Sequence, residues 1–263
     1  MEVLVFDLLA KYAYFKVPEG TRSNFSFPFP PRTTIIGLIA AIMGETRNKY
    51  WLDERYHELQ IAVEILNKSS TYGIKMNYWR TKSVSTIGGR EIDMKIMIAS
   101  GSDANDRGYT TQVKFDYLTD VAFRVYISSS SDIFSELTQR IMNNKYYYPP
   151  YLGHANLLAE IEYVGVFKLN SIDKGEFSTI IPSSSLQKDA QQLVLGYGGY
   201  TVYNGVPMDY KIEILKTDIM DDYISIPNRY ETIIVPEVGK KINLTLNNGY
   251  EVLMDEPKHI SFL

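Results

Sequence analysis

The sequence predicts an α+β fold with an N-terminal α+β domain over residues 1–169 and a small β-rich region over residues 170–263. Three observations support this prediction. Apolar runs typical of strands alternate with two helical patterns in the first two-thirds of the chain. A long basic insertion interrupts this order at about residues 73–117. Beyond about residue 170, short β-like runs are separated by glycine and asparagine turns.

The N-terminal elements follow one another in a recognisable order. Apolar runs rich in β-branched and aromatic residues predict strands at 2–9, 61–67, 120–128 and 158–169. Helical patterns predict one helix from about Arg32 to Met43 and a second over 132–143, which begins after Ser131 or Asp132 and turns Ile133, Leu137 and Ile141 inward. The order β-α-β-β-α-β is that of a ferredoxin-like (RRM-like) domain.

The first helix lies within residues 27–44, FPFPPRTTIIGLIAAIMG. Proline is tolerated at a helix start, and Gly44 suits the position just after its end. One face carries large apolar side chains at i, i+3, i+4 and i+7 spacing. The opposite face consists of small residues: Gly37, Ala40, Ala41 and Gly44. We therefore expect a buried helix that lets a second backbone approach closely.

The insertion at 73–117 is too long for a plain loop. Its two ends, IKMNYWRTKSVS and TTQVKFDYL, have strand character, which predicts a projecting β-hairpin. Seven cations decorate it: Lys75, Arg80, Lys82, Arg90, Lys95, Arg107 and Lys114.

Composition excludes several classes of site. The 263-residue chain has no cysteine, which rules out disulfides, thiolate metal sites and a cysteine nucleophile. Its three histidines have no metal-ligand spacing, so we expect no metal and no cofactor. The sequence has neither a signal-peptide pattern nor an apolar run long enough for a membrane span, so we expect a soluble, cytoplasmic protein without membrane contact.

Charge is unevenly distributed along the chain. The net charge is −4, but residues 11–34 and residues 73–114 each carry +3, whereas residues 170–263 carry −5. Because the field of a charge decays within about 8 Å at physiological salt, local sign decides whether a polyanion can bind. The two basic segments therefore favour a nucleic-acid contact in the N-terminal half.

Candidate phosphate-binding residues lie in the loop before the first helix. A helix N-terminus offers free amides and a partial positive charge. Lys16, Arg22 and Arg32 add cations, and Thr33 and Thr34 add hydroxyl groups. The alternative is that the threonines only cap the helix.

The insertion and the segment after the second helix supply further candidates. Trp79 could stack on a base while Arg80 and Lys82 contact phosphates, although the hairpin could instead pack its own aromatic side chains. His154, in YYYPPYLGHANLLA, could act as a general acid or base, or serve as a structural or RNA-contacting histidine.

Two segments together resemble a known family. FDLLAKYAYFK followed by FPFPPRTTIIGLIAAIMG is similar to the N-terminal signature of the CRISPR-associated Cas5 family, a branch of the RAMP superfamily. YYPPYLGHANLLAEI resembles a later segment of the same family. The matches span about two-thirds of the chain and are closest to type I-B members.

The resemblance implies a non-catalytic RNA-binding subunit of a type I Cascade effector complex in antiviral defence. Such a subunit grips the 5′ handle of the CRISPR RNA and caps the backbone filament, and its hairpin forms a thumb that displaces a base. The implied RNA-binding residues are Tyr14, Lys16, Arg22, Arg32, Thr33, Thr34, Trp79, Arg80, Lys82 and His154.

The implied partners are CRISPR RNA, the repeated backbone subunit and the large subunit, with target DNA reached through the complex. A sister branch, type I-C, cleaves precursor CRISPR RNA with Tyr, Lys and His side chains. A metal-independent endoribonuclease is therefore the alternative function, although no catalytic trio aligns with this sequence.

Overall fold

The structure, a computed structural model, describes residues 1–18, 24–47, 49–79, 110–187, 199–215 and 222–263. These ranges contain ten strands: β1 (Glu2–Ala13), β2 (Gln60–Ile65), β3 (Ser70–Trp79), β4 (Thr110–Ser128), β5 (Glu160–Phe177), β6 (Ile181–Pro182), β7 (Tyr200–Leu215), β8 (Asp222–Pro236), β9 (Ile242–Val252) and β10 (Lys258–Ser261). The α-helices in the same ranges are α1 (Arg32–Met43), α2 (Glu54–His57) and α3 (Ile133–Met142).

The main sheet has the strand order β10-β9-β5-β1-β4-β2, and β3 pairs with the protruding part of β4. Its strands are antiparallel except for a single parallel pairing of β10 with β5. Alternation along β1 sends Leu4, Phe6 and Leu8 into the core beneath the helices, whereas Val3 and Val5 face a second cluster on the other side. The fold is thus mostly strand, with the helices on one face.

Helix α1 is buried on nearly all sides, as its sequence predicts. Ile35, Ile36 and Ile39 have no exposed surface. The helix ends at Gly44, whose left-handed backbone (φ 88°) lets its amide bond back to the last turn. The amides of Tyr147 and Tyr148 bond the carbonyls of Ile42 and Ala41, so the small-residue face admits a second backbone, as expected.

Strand β4 is longer than predicted, because the expected strand 120–128 and the second strand of the hairpin are one 19-residue strand. Its C-terminal half pairs with β1 and β2, and its N-terminal half pairs with β3 over ten residue pairs. Asp120, with a positive φ of 53°, lies where β4 changes its pairing partner. The Asn67 side chain donates to Asp120 O and accepts from the Ala122 amide. The paired part of the β3–β4 hairpin is therefore about 30 Å long.

The C-terminal region shares the core of the N-terminal domain. Strand β5 runs across the predicted boundary at residue 169 and pairs with β1 at one end and β9 at the other. A three-stranded sheet of order β6-β8-β7 covers α1. Val206 and Met208 of β7 and Ile233 of β8 belong to the same core cluster as α1.

The outer edge of β2 is covered. Ile180 donates its amide to Val63 O and Leu263 donates to Ile61 O, both at 2.8 Å. On the adjoining face, Glu64 accepts from the Tyr126 hydroxyl (2.9 Å) and from Lys258 of β10 (3.2 Å). In the described ranges, no helix is long and apolar enough to cross a membrane, and no group of acidic, histidine or cysteine side chains could hold a metal.

Candidate nucleic-acid interface

The segment before α1 folds back on itself beside the β3–β4 hairpin. Phe15 donates its amide to the Ser26 hydroxyl, and Phe27 donates to Phe15 O. Asn24 then pairs with Phe115 of β4, and the Asp116 amide bonds Asn24 O at 3.1 Å. The loop before α1 is therefore hydrogen-bonded to the β3–β4 hairpin.

Lys16 is exposed on this loop, as predicted. Four other predicted residues cannot be placed in full. Arg22, Arg80 and Lys82 lie outside the described residues, and for Trp79 only the backbone is described, at the end of β3 opposite Thr110.

An aromatic cluster forms where the hairpin meets the sheet. The cluster consists of Tyr14 after β1, Phe115 and Tyr117 on β4, and His154 in the segment before β5. The His154 ring lies 4.8 Å from the Tyr14 ring and 5.1 Å from the Phe115 ring, edge to face in the second case. Such contacts are favourable beyond the area that they bury. Tyr14 is only 4% exposed, so it lies within the cluster and does not offer a face for stacking, contrary to its predicted RNA contact.

The position of His154 depends on the backbone conformation of Gly153. Gly153 has φ +97°, and a side chain there would overlap the Tyr14 carbonyl oxygen. His154 Nδ1 lies 2.8 Å from the Tyr117 hydroxyl, and partial burial lowers the pKa of the imidazole. The ring is therefore neutral at pH 7, which suits hydrogen bonding or stacking better than ionic contact with a phosphate.

A groove of about 600 Å³ runs along the small-residue face of α1. Thr33 and Thr34 lie at its N-terminal end, and Glu45 and Arg47 lie at the other. Its floor is formed by Gly37, Ala40 and Ala41, and its walls by Tyr50, Tyr148, Pro149, Tyr151 and Gly153. The groove thus leads from the N-terminus of α1 to the segment that carries His154.

The two threonines do not cap α1, because the helix start at Pro31 has no side-chain cap. Thr33 is 7% exposed and its hydroxyl hydrogen-bonds Tyr210 of β7. Thr34 is half-buried. Thr34 therefore remains the more accessible of the two predicted hydroxyl contacts.

Arg32 is not a surface residue, which contradicts its predicted phosphate contact. Its side chain is 3% exposed, and it donates to Met208 O at 3.0 Å, to His57 O at 2.7 Å and to Leu59 O at 3.0 Å. Burial lowers the pKa of its guanidinium to about 10, so it stays charged at neutral pH. Arg32 therefore joins α1 to β7 and to the turn before β2.

Several residues of the interface were not predicted. Phe115 and Tyr117 are separated from His154 in sequence, and only the register of β4 brings them together. The sequence did contain a pattern that indicates the groove wall formed by Tyr148 and Tyr151, because YYYPPY concentrates four tyrosines beside two prolines. Tyr148 and Tyr151 are 48% and 40% exposed, which is unusual for large aromatic side chains unless a partner covers them.

A family model identifies the family to which this sequence belongs. The sequence matches the family model described as CRISPR-associated protein (Cas_Cas5) over residues 3–236. No curated protein sequence matches it.

Two solved structures are similar to this chain, and the first has the same overall fold. A chain of a structure titled "CRISPR RNA-guided surveillance complex" is 17% identical, with 92% of this chain and 91% of that chain covered and a TM-score of 0.52. A CRISPR protein from Archaeoglobus fulgidus is 12% identical over 99% of this chain and 98% of that chain, with a TM-score of 0.47. Because the family model covers nearly the whole sequence, the protein belongs to the Cas5 family of CRISPR-associated proteins.

Proposed function

We propose that this protein is a non-catalytic RNA-binding subunit of a type I CRISPR effector complex of the Cascade kind, which holds the 5′ handle of the CRISPR RNA. The main observation behind this proposal is that the loop before α1 is joined to the β3–β4 hairpin. Asn24 of the loop pairs with Phe115 and accepts a hydrogen bond from the Asp116 amide. This joint lies beside an aromatic cluster, and Lys16 and Lys114, which are described cations of the two basic segments, are both exposed.

The fold supports the proposal. The strand order β5-β1-β4-β2, with α1 and α3 on one face, favours a ferredoxin-like domain. We interpret the β3–β4 hairpin as the thumb of such a domain. The structure titled "CRISPR RNA-guided surveillance complex" has a chain of the same fold, which favours assembly into such a complex.

The chemistry of the interface suits single-stranded RNA. Proteins read such RNA through splayed bases that stack on aromatic rings and through contacts to phosphates. His154 offers a neutral ring at the hairpin base, and Tyr148 and Tyr151 offer exposed rings along the groove. Lys16 supplies an exposed cation on the adjacent loop.

We propose the same partners as the family resemblance implies: CRISPR RNA, the repeated backbone subunit and the large subunit, with this chain capping the backbone filament. Tyr147 and Leu158 are 64% and 62% exposed, and we propose that these side chains are covered by another subunit.

Binding of the full-length protein to RNA tests the proposal directly. Repeat RNA carrying the 5′ handle should bind more tightly than RNA of equal length with a scrambled handle. Lys16→Gln should weaken binding and reduce the slope of log K against log salt by about 0.7, as for one lost phosphate contact. Lys174→Gln, on an exposed strand position of β5, is the matched control and should leave both unchanged. Equal affinity for both RNAs would contradict the proposal.

The endoribonuclease alternative needs a separate experiment. The protein is incubated with repeat RNA in EDTA, and the products are resolved on a denaturing gel. Intact RNA is the expected result, because the hydroxyl beside His154 belongs to Tyr117, which is 1% exposed and is therefore not accessible to an RNA ribose. Cleavage at one position in the repeat, lost in His154→Ala, would establish the nuclease instead.

A further inference from the structure

The two strands of the β3–β4 hairpin place like charges directly opposite each other. Lys75 of β3 pairs with Lys114 of β4 in the antiparallel register. Side chains at directly opposed positions have Cβ atoms only about 5 Å apart, so like charges there destabilise the pairing. The register thus places two positive charges, those of Lys75 and Lys114, opposite each other at the centre of the described hairpin.

The register divides the hairpin into two faces. Ile74, Met76, Phe115 and Tyr117 point to the face that packs on Tyr14 and His154. Lys75 and Lys114 lie on the opposite face, together with the pairs Gly73–Asp116 and Asn77–Gln112. We call this second surface the polar face; it has no part in the aromatic cluster.

In the free protein, the Lys114 side chain is directed over Gly73 toward Asp116, which neutralises one of the two lysine charges. Its aliphatic chain crosses Gly73, where a Cβ would lie 2.7 Å from Lys114 Cε, and its ammonium reaches the Asp116 carboxylate at 3.1 Å. Glycine at position 73 provides the space for this path. Within the described part of the chain, Lys75 has no carboxylate within ion-pair distance, so the polar face keeps a net charge of +1.

Amide side chains lie on the same face of the hairpin as the two lysines. The Asn77 and Gln112 amides contact each other at 3.4 Å one step further along the hairpin. The Asn24 side chain donates to Lys114 O, which fixes the strand beneath the lysine. A phosphate placed between the lysines would meet two cations and amide donors, and its negative charge would cancel the repulsion between them.

We propose that the polar face binds a phosphate of the RNA backbone between Lys75 and Lys114, and that this phosphate stabilises the hairpin. The inference rests on the proposed RNA-binding function and adds a specific site to it. Hairpin stability and RNA binding are then coupled. Without RNA, the repulsion between Lys75 and Lys114 lowers the stability of the hairpin, and a bound phosphate removes this repulsion.

The coupling predicts opposite effects on stability and on binding. Lys75→Glu replaces the repulsion with an attractive cross-strand pair, so the midpoint of thermal unfolding without RNA should rise by about 1–3 °C. Amide hydrogen exchange in residues 72–77 and 112–117 should slow at the same time, which reports on the hairpin even if it opens locally. The same variant should bind repeat RNA about fivefold more weakly at 0.1 M salt, with the salt slope reduced by about 0.7.

Two further variants sharpen the experiment. Asp116→Asn removes the carboxylate that competes for Lys114, so it should strengthen RNA binding while it lowers hairpin stability. Lys174→Gln is the matched control, because Lys174 is an exposed strand lysine that pairs with the neutral Thr245, and it should change neither property.

The possible outcomes distinguish a failure of the phosphate site from a failure of the proposed RNA-binding function. Slower exchange with unchanged RNA affinity in Lys75→Glu would overturn the phosphate site and leave the RNA-binding function intact. Failure of the wild-type protein to bind repeat RNA would overturn both. If Lys75→Glu loses binding to polyglutamate but keeps binding to RNA, the polar face serves an acidic protein partner, and the inference is wrong.

Discussion

Arg32 shows how a cation in a basic segment can serve structure. Its guanidinium satisfies three backbone carbonyls that belong to β7 and to the turn before β2. Arg32→Met would keep an unbranched, largely apolar side chain but leave those carbonyls without donors. Because each unsatisfied buried acceptor costs about 1–3 kcal/mol, we expect a loss of about 3 kcal/mol or more in the free energy of urea unfolding.

The salt dependence of RNA binding separates this role from a phosphate contact. At a temperature where Arg32→Met is still folded, its salt slope should equal that of the wild type. A slope reduced by about 0.7 would instead show that Arg32 reaches the RNA.

His154 makes stability depend on pH. Burial lowers the pKa of the folded imidazole below its ordinary value of 6.5, so the unfolded chain takes up a proton more readily. Its contribution to stability is therefore complete above about pH 6.5 and is lost as the pH falls through the folded pKa. We expect the melting temperature to fall less between pH 7.5 and 5.5 in His154→Phe than in the wild type. Identical pH profiles would show that His154 is not buried as described.

At the scale of the element, the end of α1 is fixed by two separate constraints. Gly44 has a left-handed backbone, and a Cβ there would lie 2.6 Å from Tyr147 Cγ. Gly239 has a similar φ of +75° but open space around it. Gly239→Ala should therefore cost only the backbone strain, about 1 kcal/mol, whereas Gly44→Ala should cost more because Tyr147 must also move. Chemical denaturation of both variants measures the difference, and equal losses would mean that the Tyr147 contact is easily relieved.

At the scale of the whole molecule, the two regions predicted from sequence are joined by a common core. Strand β5 belongs to both, and Val206 and Ile233 pack in the same cluster as α1. We expect a single calorimetric unfolding transition for the protein, and we expect residues 1–169 alone to lack a cooperative transition because the cut falls inside β5. Two resolved transitions, or a cooperative fragment, would instead indicate independent domains.

Sequence patterns predicted the elements better than the interface. Apolar periodicity located α1, the inward residues Ile133, Leu137 and Ile141 of α3, and the strands at both ends of the insertion, because burial decides those positions locally. The burial of Arg32 was not predictable, since its acceptors Met208, His57 and Leu59 lie 176, 25 and 27 residues away. The aromatic cluster and the Lys75–Lys114 pair depend on strand register, which no single segment specifies.

The covered edge of β2 limits how this protein can associate. An exposed strand edge recruits other strands and promotes disordered aggregation. Here Ile180 and Leu263 already bond the outward carbonyls of Val63 and Ile61. A second chain could extend the sheet on this side only after displacing both, so growth by strand addition is blocked there and contact with neighbouring subunits is directed to side-chain surfaces.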